Sequence, residues 1–460
     1  MNEVFHPPAA LATCILRTGD RAATVRLTAL ALDGAEGATE ALFGDVVEPL
    51  CDGFTRRGTL ICEGVLAQVI DLARRHPDCA ALDAALTEEG IGGEADLRAR
   101  AAWGQRDPTS TGTPDRIGLI SRGTLGADLA ISLPLLRGLA ARWPKAEIVV
   151  FGRESLRPVI EGLSARFVSV GDGRQGGLAA RLGAWVGLRE AIAAEAAGVG
   201  PGRWLLIDPD TRLTQRGLLA SGPRAAYWRL PSRKVEAGCL GQIARDWLAA
   251  RFGAAAPTTP LPLRLADAAW ARRLRSAMTA DGRRLVAAGF GFGGNPAKRV
   301  GPEFEAGALA ALVADGHRVL LARGVDGSAR AATEAFYAAL VDRGLRVRHL
   351  PEGRHLRPGA EADVVTWQAD SGAFLAVIAA SDAHLGYDSA GQHIAAALGV
   401  PTLTIFVTAA GLRHADRWRP TGPGPIRVLR VDPGATGSAI LGPAIAAMRA
   451  LLRGGAARLL

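Results

Sequence analysis

The chain has 460 residues, of which 48% are hydrophobic, 22% charged and 5% aromatic, so it is too long for one ordinary core and has ample apolar material for two or three. A formal charge of +9 and a pI near 10 suit a polyanionic partner. The arginines are nevertheless scattered and no Lys/Arg run with interleaved aromatics occurs, which excludes nucleic acid and leaves a broadly basic solvated surface.

Five cysteines, Cys14, Cys51, Cys62, Cys79 and Cys239, form no C-x-x-C pair and no Cys/His ligand spacing, which excludes a disulfide framework and a zinc site. The chain opens without a basic-then-apolar leader and holds no run of eighteen apolar residues, so a cytoplasmic protein is expected.

Residues 1–105 carry apolar positions at helical spacing. Leu42, Val46, Leu50 and Phe54 step by four, and Ile61, Val65, Val69 and Leu72 follow one face. This reads as a small helical domain without a catalytic motif. Residues 106–115, RDPTSTGTPD, have the composition of a linker.

From residue 116 to 255 the pattern changes to strands RIGLIS, EIVVFG, RFVSVG and RWLLIDPD with helices between them. Alternation of this kind predicts a parallel sheet covered on both faces. After a Pro-rich break at RFGAAAPTTPLPL the pattern restarts over 256–460, with six strand candidates: RRLVAAGFG, HRVLLARG, RVRHLP, AHLGYD, TLTIFV and IRVLRVD. The fold class is α/β, two Rossmann-like domains preceded by helices. Ligands of such sheets sit at the carboxyl ends of the strands.

Three stretches offer chemistry. GYDSAGQHIAAALGVPTLTIF, residues 386–406, reads as a strand, a sharp turn from Asp388 to Gly391, a short helix from His393 to Leu398 and a second strand. Asp388 and Ser389 fall where the first helical N–H groups lack partners and the dipole is positive, which makes either a phosphate site or a simple side-chain cap. SRGTLGADLAISLPLL sets Asp128 at a helix start after a strand, as a candidate general base or as a cap. GFGFGGNPAKRVGPEF puts Gly289, Gly291 and Gly294 in G-x-G-x-x-G register, but Pro296, Lys298 and Arg299 intervene before any helix, which is the wrong context for a dinucleotide fold.

Other chemistries fit less well. Ser389 has Tyr387 where a nucleophile elbow needs glycine. His384, Asp388 and His393 show no recognised metal-ligand pattern, and His384 reads as a core or turn residue. No Walker A sequence is present.

The Asp388 to His393 spacing followed by AAALGVPTLTIF resembles the C-terminal motif of glycosyltransferase family 9, the heptosyltransferase-like enzymes, written D-[ST]-G-x-x-H-x-A-A-x-x-G-x-P. The departure is Ala390 followed by Gly391 where the family has glycine first. The Asp128 to Pro134 interval resembles the family's N-terminal S-x-G-D-x-x-x-x-x-P, with Gly126 two residues before the aspartate. The turn before Lys298 resembles its small-residue loop ending in K-R-W-P.

The resemblance spans about residues 116–432. It implies the two-domain GT-B architecture and inverting, metal-independent transfer of a heptose-like sugar from a nucleotide-diphosphate donor such as ADP-heptose, without a cofactor, to a glycan, lipid-linked or protein acceptor. It implies Asp128 as general base and Lys298 as stabiliser of the diphosphate leaving group. Gly126, Arg299, Asp326, Asp388, Ser389, Ala390, Gly391 and His393 would bind the donor. Arg299 reads equally as a solvated cation and Asp326 as a surface-loop residue. Trp418 and Arg419, in a loop RHADRWRPTGPG, would border the pocket or pack.

The expected cytoplasmic location includes peripheral attachment to the inner face of the membrane. The alternative is a transferase-like scaffold that binds nucleotide sugars without turnover. The N-terminal helices recognise the acceptor, mediate homo-oligomerisation, or pack permanently on the first α/β domain.

Overall fold

A computed structural model of the chain describes residues 7–103, 112–200, 202–233, 238–291, 296–323, 336–354, 362–408 and 411–454. Asp326, Gly294 and most of the expected linker lie outside them. The chain divides into two compact units. The first holds residues 1–124, 131–157 and 164–257; the second holds 125–130, 158–163 and 258–460.

In the first unit the N-terminal stretch is helical, led by Pro8–Thr18, Arg21–Leu32, Arg56–Ala73, Ala80–Glu88 and Glu94–Ala101. Local chemistry sets the ends. Asp20 accepts a hydrogen bond from the Ala23 N–H and Thr55 from the Gly58 N–H, each satisfying a donor that the first turn leaves open. The Leu42, Val46, Leu50, Phe54 series is buried as its spacing predicts, although it runs through a π-helical turn, Ala41–Val47, into the helix Glu48–Asp52.

Five parallel strands follow: β1 (Arg116–Ile120), β2 (Glu147–Gly152), β3 (Arg166–Ser169), β4 (Trp204–Asp208) and β5 (Tyr227–Arg229), in the order β3-β2-β1-β4-β5. Strand β5 is not among the strands expected from the sequence. The N-terminal helices share a core with this sheet's outer layer. Leu27, Leu66, Ile70 and Leu86 belong to one buried cluster with Leu178, Leu182 and Trp185 of the helix Leu178–Ala196. The Trp185 indole N–H donates to Ser221 Oγ at 2.8 Å, so its polar end is also satisfied.

The second unit is built on seven parallel strands: β6 (Leu285–Gly289), β7 (Arg318–Ala322), β8 (Val347–His349), β9 (Val364–Trp367), β10 (Ala383–Tyr387), β11 (Thr402–Val407) and β12 (Ile426–Val431). Their order is β12-β11-β10-β6-β7-β9-β8. Strand β9, VVTW, is the addition to the six expected, a buried four-residue run too short to separate from a helix by period. Strands β6, β10 and β11 are buried almost throughout, as a sheet covered on both faces requires. The order reverses between β6 and β10, which makes the gap beyond their carboxyl ends a topological switch point. Among the described residues no helix is long and apolar enough to cross a membrane.

A chain beginning at Thr113 would strip the cover from Leu178, Leu182 and Trp185. Thermal unfolding should then lose cooperativity or the protein should aggregate. A monomeric product melting within a few degrees of the full chain would show that the helices are dispensable to the core.

Candidate functional site

Asp388 follows β10 directly, and its carboxylate is the centre of the second unit's polar cluster. It is 8% exposed. Lys298, from the segment after β6, places Nζ 2.7 Å from Asp388 Oδ2. His414 Nε2 lies 2.9 Å from the same oxygen. Gln392 Nε2 donates to Oδ1 at 2.7 Å, and its own carbonyl accepts from Thr404 Oγ1 of β11 at 2.6 Å. Burial pushes the Asp388 carboxyl up, but the hydrogen bond from His414 and the Lys298 charge outweigh it and hold the group well below the usual carboxylate range.

The helix after Asp388 starts at Ala390, three residues before the expected His393. The expected turn to Gly391 is therefore only Asp388 and Ser389 long. Ser389 stands at the cap position with no side-chain cap bond, and Asp388 is committed to Lys298, His414 and Gln392. Ser389 therefore does not cap the helix Ala390–Leu398 with its side chain, and the helix start carries the positive end of the dipole.

The displaced glycines have packing roles. Gly391 is helical, and a Cβ there would meet His384 Nε2 at 2.8 Å. A Cβ at Gly126, which groups with the second unit, would lie 3.2 Å from Ala390 Cα and 3.4 Å from His393 Cδ2. The glycine at 126 thus lets the segment carrying Asp128 approach the helix start at Ala390, while Gly391 leaves room for His384. Asp128 is 3% exposed and opens a π-helical turn, Asp128–Ser132, ahead of the helix Leu133–Arg142.

Arg299 forms an ion pair with Glu305 and is not the solvated cation that stood as the alternative to a donor contact. Its fork bonds Glu305 at 2.7 and 2.6 Å, and Glu305 also accepts from the Tyr387 hydroxyl at 2.9 Å. The Val300 N–H donates to that hydroxyl at 3.2 Å. A bidentate pair of this geometry anchors the segment that carries Lys298.

His393 and His384 are both buried. His384 Nδ1 is 3.0 Å from Thr402 Oγ1, in keeping with a core role. Trp418 meets the His393 ring edge-on, with centroids 6.2 Å apart, and tilts on His414 at 6.4 Å. It sits on a helix, Leu412–Trp418, where a loop was expected, while Arg419 beyond it is exposed. His414 and Gln392 were not singled out from the sequence; the one signal for His414 was its four-residue spacing from Trp418. Among the described residues no group of three His, Cys, Asp or Glu side chains is arranged to hold a metal ion.

Two parallel sheets of this order, each with helices between its strands, give a glycosyltransferase-like fold. More particularly, the fold is similar to that of a glycosyltransferase family 9 structure. The family 9 glycosyl transferase of Veillonella parvula superposes with a TM-score of 0.55 at 15% identity, covering 75% of this chain and 99% of that one. The ADP-heptose lipopolysaccharide heptosyltransferase II of E. coli gives 0.49 at 18% identity over 74% and 98%. The E. coli heptosyltransferase WaaC with ADP gives 0.46 at 16% over 74% and 99%. No protein-family model matches the sequence, and no curated protein matches it.

Burial lowers His384 and His393 to about 4, against about 6.5 in an unfolded chain. Between those values the unfolded chain binds the extra protons. The stabilisation linked to these rings is complete above pH ~6.5 and is lost as the pH falls towards 4, at up to about 1.4 kcal/mol per pH unit for each histidine. Denaturant midpoints should fall between pH 7 and pH 5, and His384→Gln should flatten that slope. An unchanged midpoint over this range would count against neutral buried imidazoles.

Proposed function

We propose that the protein transfers a sugar from a nucleotide-diphosphate donor to an acceptor hydroxyl, with inversion and without a metal ion. The observation that carries this reading is the Lys298–Asp388–His414 cluster beside an uncapped helix N-terminus at the carboxyl ends of β6 and β10. Asp388 fixes Lys298 on one side, while about a quarter of the lysine side chain stays exposed. A diphosphate at the helix start would meet the first N–H groups, the helix dipole and the ammonium together.

Charge grows on the diphosphate as the glycosidic bond breaks, so a cation held in place beforehand acts mainly in the transition state. Lys298 and the helix end would supply the positive charge that other transferases take from a divalent ion. Asp128 would accept the proton of the attacking hydroxyl from a segment kept close to the helix by Gly126 and Ala390. Ser389 and the Ala390 and Gly391 backbone would contact the diphosphate, and His393 with Trp418 would wall the donor. Arg299 would position Lys298 through Glu305. ADP-heptose is the first donor to test, and the acceptor is a glycan, a glycolipid or a protein at the inner membrane face or in the cytoplasm.

Lys298→Ala should lower kcat at least tenfold, since one such contact contributes on the order of 3 kcal/mol, and should leave the circular dichroism spectrum unchanged. Asp128→Asn should abolish transfer while donor binding by calorimetry persists. Full activity of either variant removes that residue from the mechanism. Donor binding by the wild type with no transfer or hydrolysis would instead identify a non-catalytic nucleotide-sugar scaffold.

Activity should also survive excess chelator. Loss that magnesium or manganese restores would overturn the metal-independent reading.

A further inference from the structure

Beyond β4 the chain enters a turn, residues 209–217, that the proposed transfer does not use. Asp210, Gln215 and Arg216 have φ of 67°, 44° and 64°, left-handed backbone that non-glycine residues keep only where the surroundings enforce it, and such positions concentrate at ligand sites. The enforcement comes from Asp208, fully buried, which accepts hydrogen bonds from the Thr211 N–H at 3.0 Å, from Thr214 Oγ1 at 2.6 Å and from the Tyr227 hydroxyl.

What the turn gathers is positive charge. Arg212 and Arg216 come from the turn itself, Arg229 from β5, Arg233 from just beyond it and Arg122 from the end of β1, and none is more than 7% exposed. Among the described residues, Asp210 is the fully buried carboxylate within ion-pair range of them. It stands 3.5 Å from Arg229 Nη1, 3.7 Å from Arg216 Nε and 3.9 Å from Arg233 Nη1, facing them without bonding, and accepts from Ser232 Oγ at 3.2 Å.

Two carboxylates at the rim are half-open to water and similarly distant. Asp52 is 3.7 Å from Arg233 and Glu48 is 3.8 Å from Arg212, while Glu48 bonds Arg174 at 2.7 Å. Both belong to the helix Glu48–Asp52 of the N-terminal segment.

Several buried donors are left over. Among the described residues no acceptor bonds Arg212 Nη1, Arg216 Nε and Nη1, or Arg233 Nε and Nη1. Guanidinium N–H groups removed from water need acceptors, and like charges packed at low dielectric need a counter-ion. Burial, with Arg233 and Arg212 adding to it, lowers Arg122 to about 9. The Cys51 thiol is also pulled down, first by its hydrogen bond with Cys62 and then by Arg233, Arg216 and Arg212. A single sulfur cannot offer acceptors to all of these forks.

We propose that this arginine cluster is the binding site of a doubly charged tetrahedral oxyanion, a phosphate or sulfate group, held by Arg212, Arg216 and Arg233 beneath the helix Glu48–Asp52. Three or four oxygens on one centre match planar forks converging from different directions. All of these residues belong to the first unit, whereas Lys298, Asp388 and His414 belong to the second. The proposal therefore stands independently of the transfer reading.

The test titrates the full-length protein with inorganic phosphate and with sulfate against sodium chloride at equal ionic strength, read by calorimetry and thermal unfolding. Either anion should bind saturably and raise Tm by about 3 °C near saturation. The Arg212→Gln/Arg233→Gln double variant should lose that shift, and Arg212→Lys, which keeps the charge without the fork, should weaken binding at least tenfold and covers the case of a double variant that fails to fold. Glycerol 3-phosphate displaces inorganic phosphate if the site takes a phosphate monoester and does not if it takes the free ion; either result supports an oxyanion site. Absence of saturable binding in the wild type, or an equal shift in the double variant, or unchanged affinity in Arg212→Lys, overturns it.

Discussion

The Asp388 carboxylate ties the second unit's polar edge together. Burial pushes its pKa up, the hydrogen bond from His414 and the Lys298 charge outweigh that effect, and Gln392 donates to its other oxygen. Those three partners come from the segment after β6, the helix after β10 and the helix Leu412–Trp418, with β11 joined through Thr404. Their distances are consequently fixed by one anion rather than by several flexible loops. Removing any partner leaves a buried charge less well compensated, which costs more than the lost bond itself.

A second anchor works in series with the first. Glu305 holds Arg299 and Tyr387 at once, so the residues on either side of the gap between β6 and β10 are tied to the helix Pro302–Ala314. Lys298 is thus constrained at its backbone by its neighbour and at its tip by Asp388. Such a lysine loses little freedom on meeting an anion, which is the condition under which a single charge is most effective.

The spacing from Asp388 to His393 and from Asp128 to Pro134 was readable because both intervals lie within one strand, turn and helix. The alternation of strands and helices gave both sheets for the same reason, missing only β5 and β9. The partners of Asp388 were not readable, because His414 is 26 residues away in sequence and reaches it only through the fold. Arg299 could not be assigned either, since Glu305 lies in what reads as an ordinary acidic first turn. Gly391 resembled a turn glycine until the closeness of His384 gave its real constraint. The arginines of the first unit's buried cluster are spread from 122 to 233, and a sequence scan counts them as surface charge. Burial is a property of the tertiary structure, and nothing local announces it.

The continuous core between the N-terminal helices and the first sheet has a consequence for the order in which the chain is made. The face formed by Leu27, Leu66, Ile70 and Leu86 is finished early in synthesis, but Leu178, Leu182, Trp185, Leu218 and Leu219, which complete the same cluster, emerge far later. At translation rates of roughly 5–20 residues per second, that apolar surface waits on the order of 10 s beside the ribosome before its cover exists. Part of that apolar face therefore stays open to water until residue 219 has left the exit tunnel.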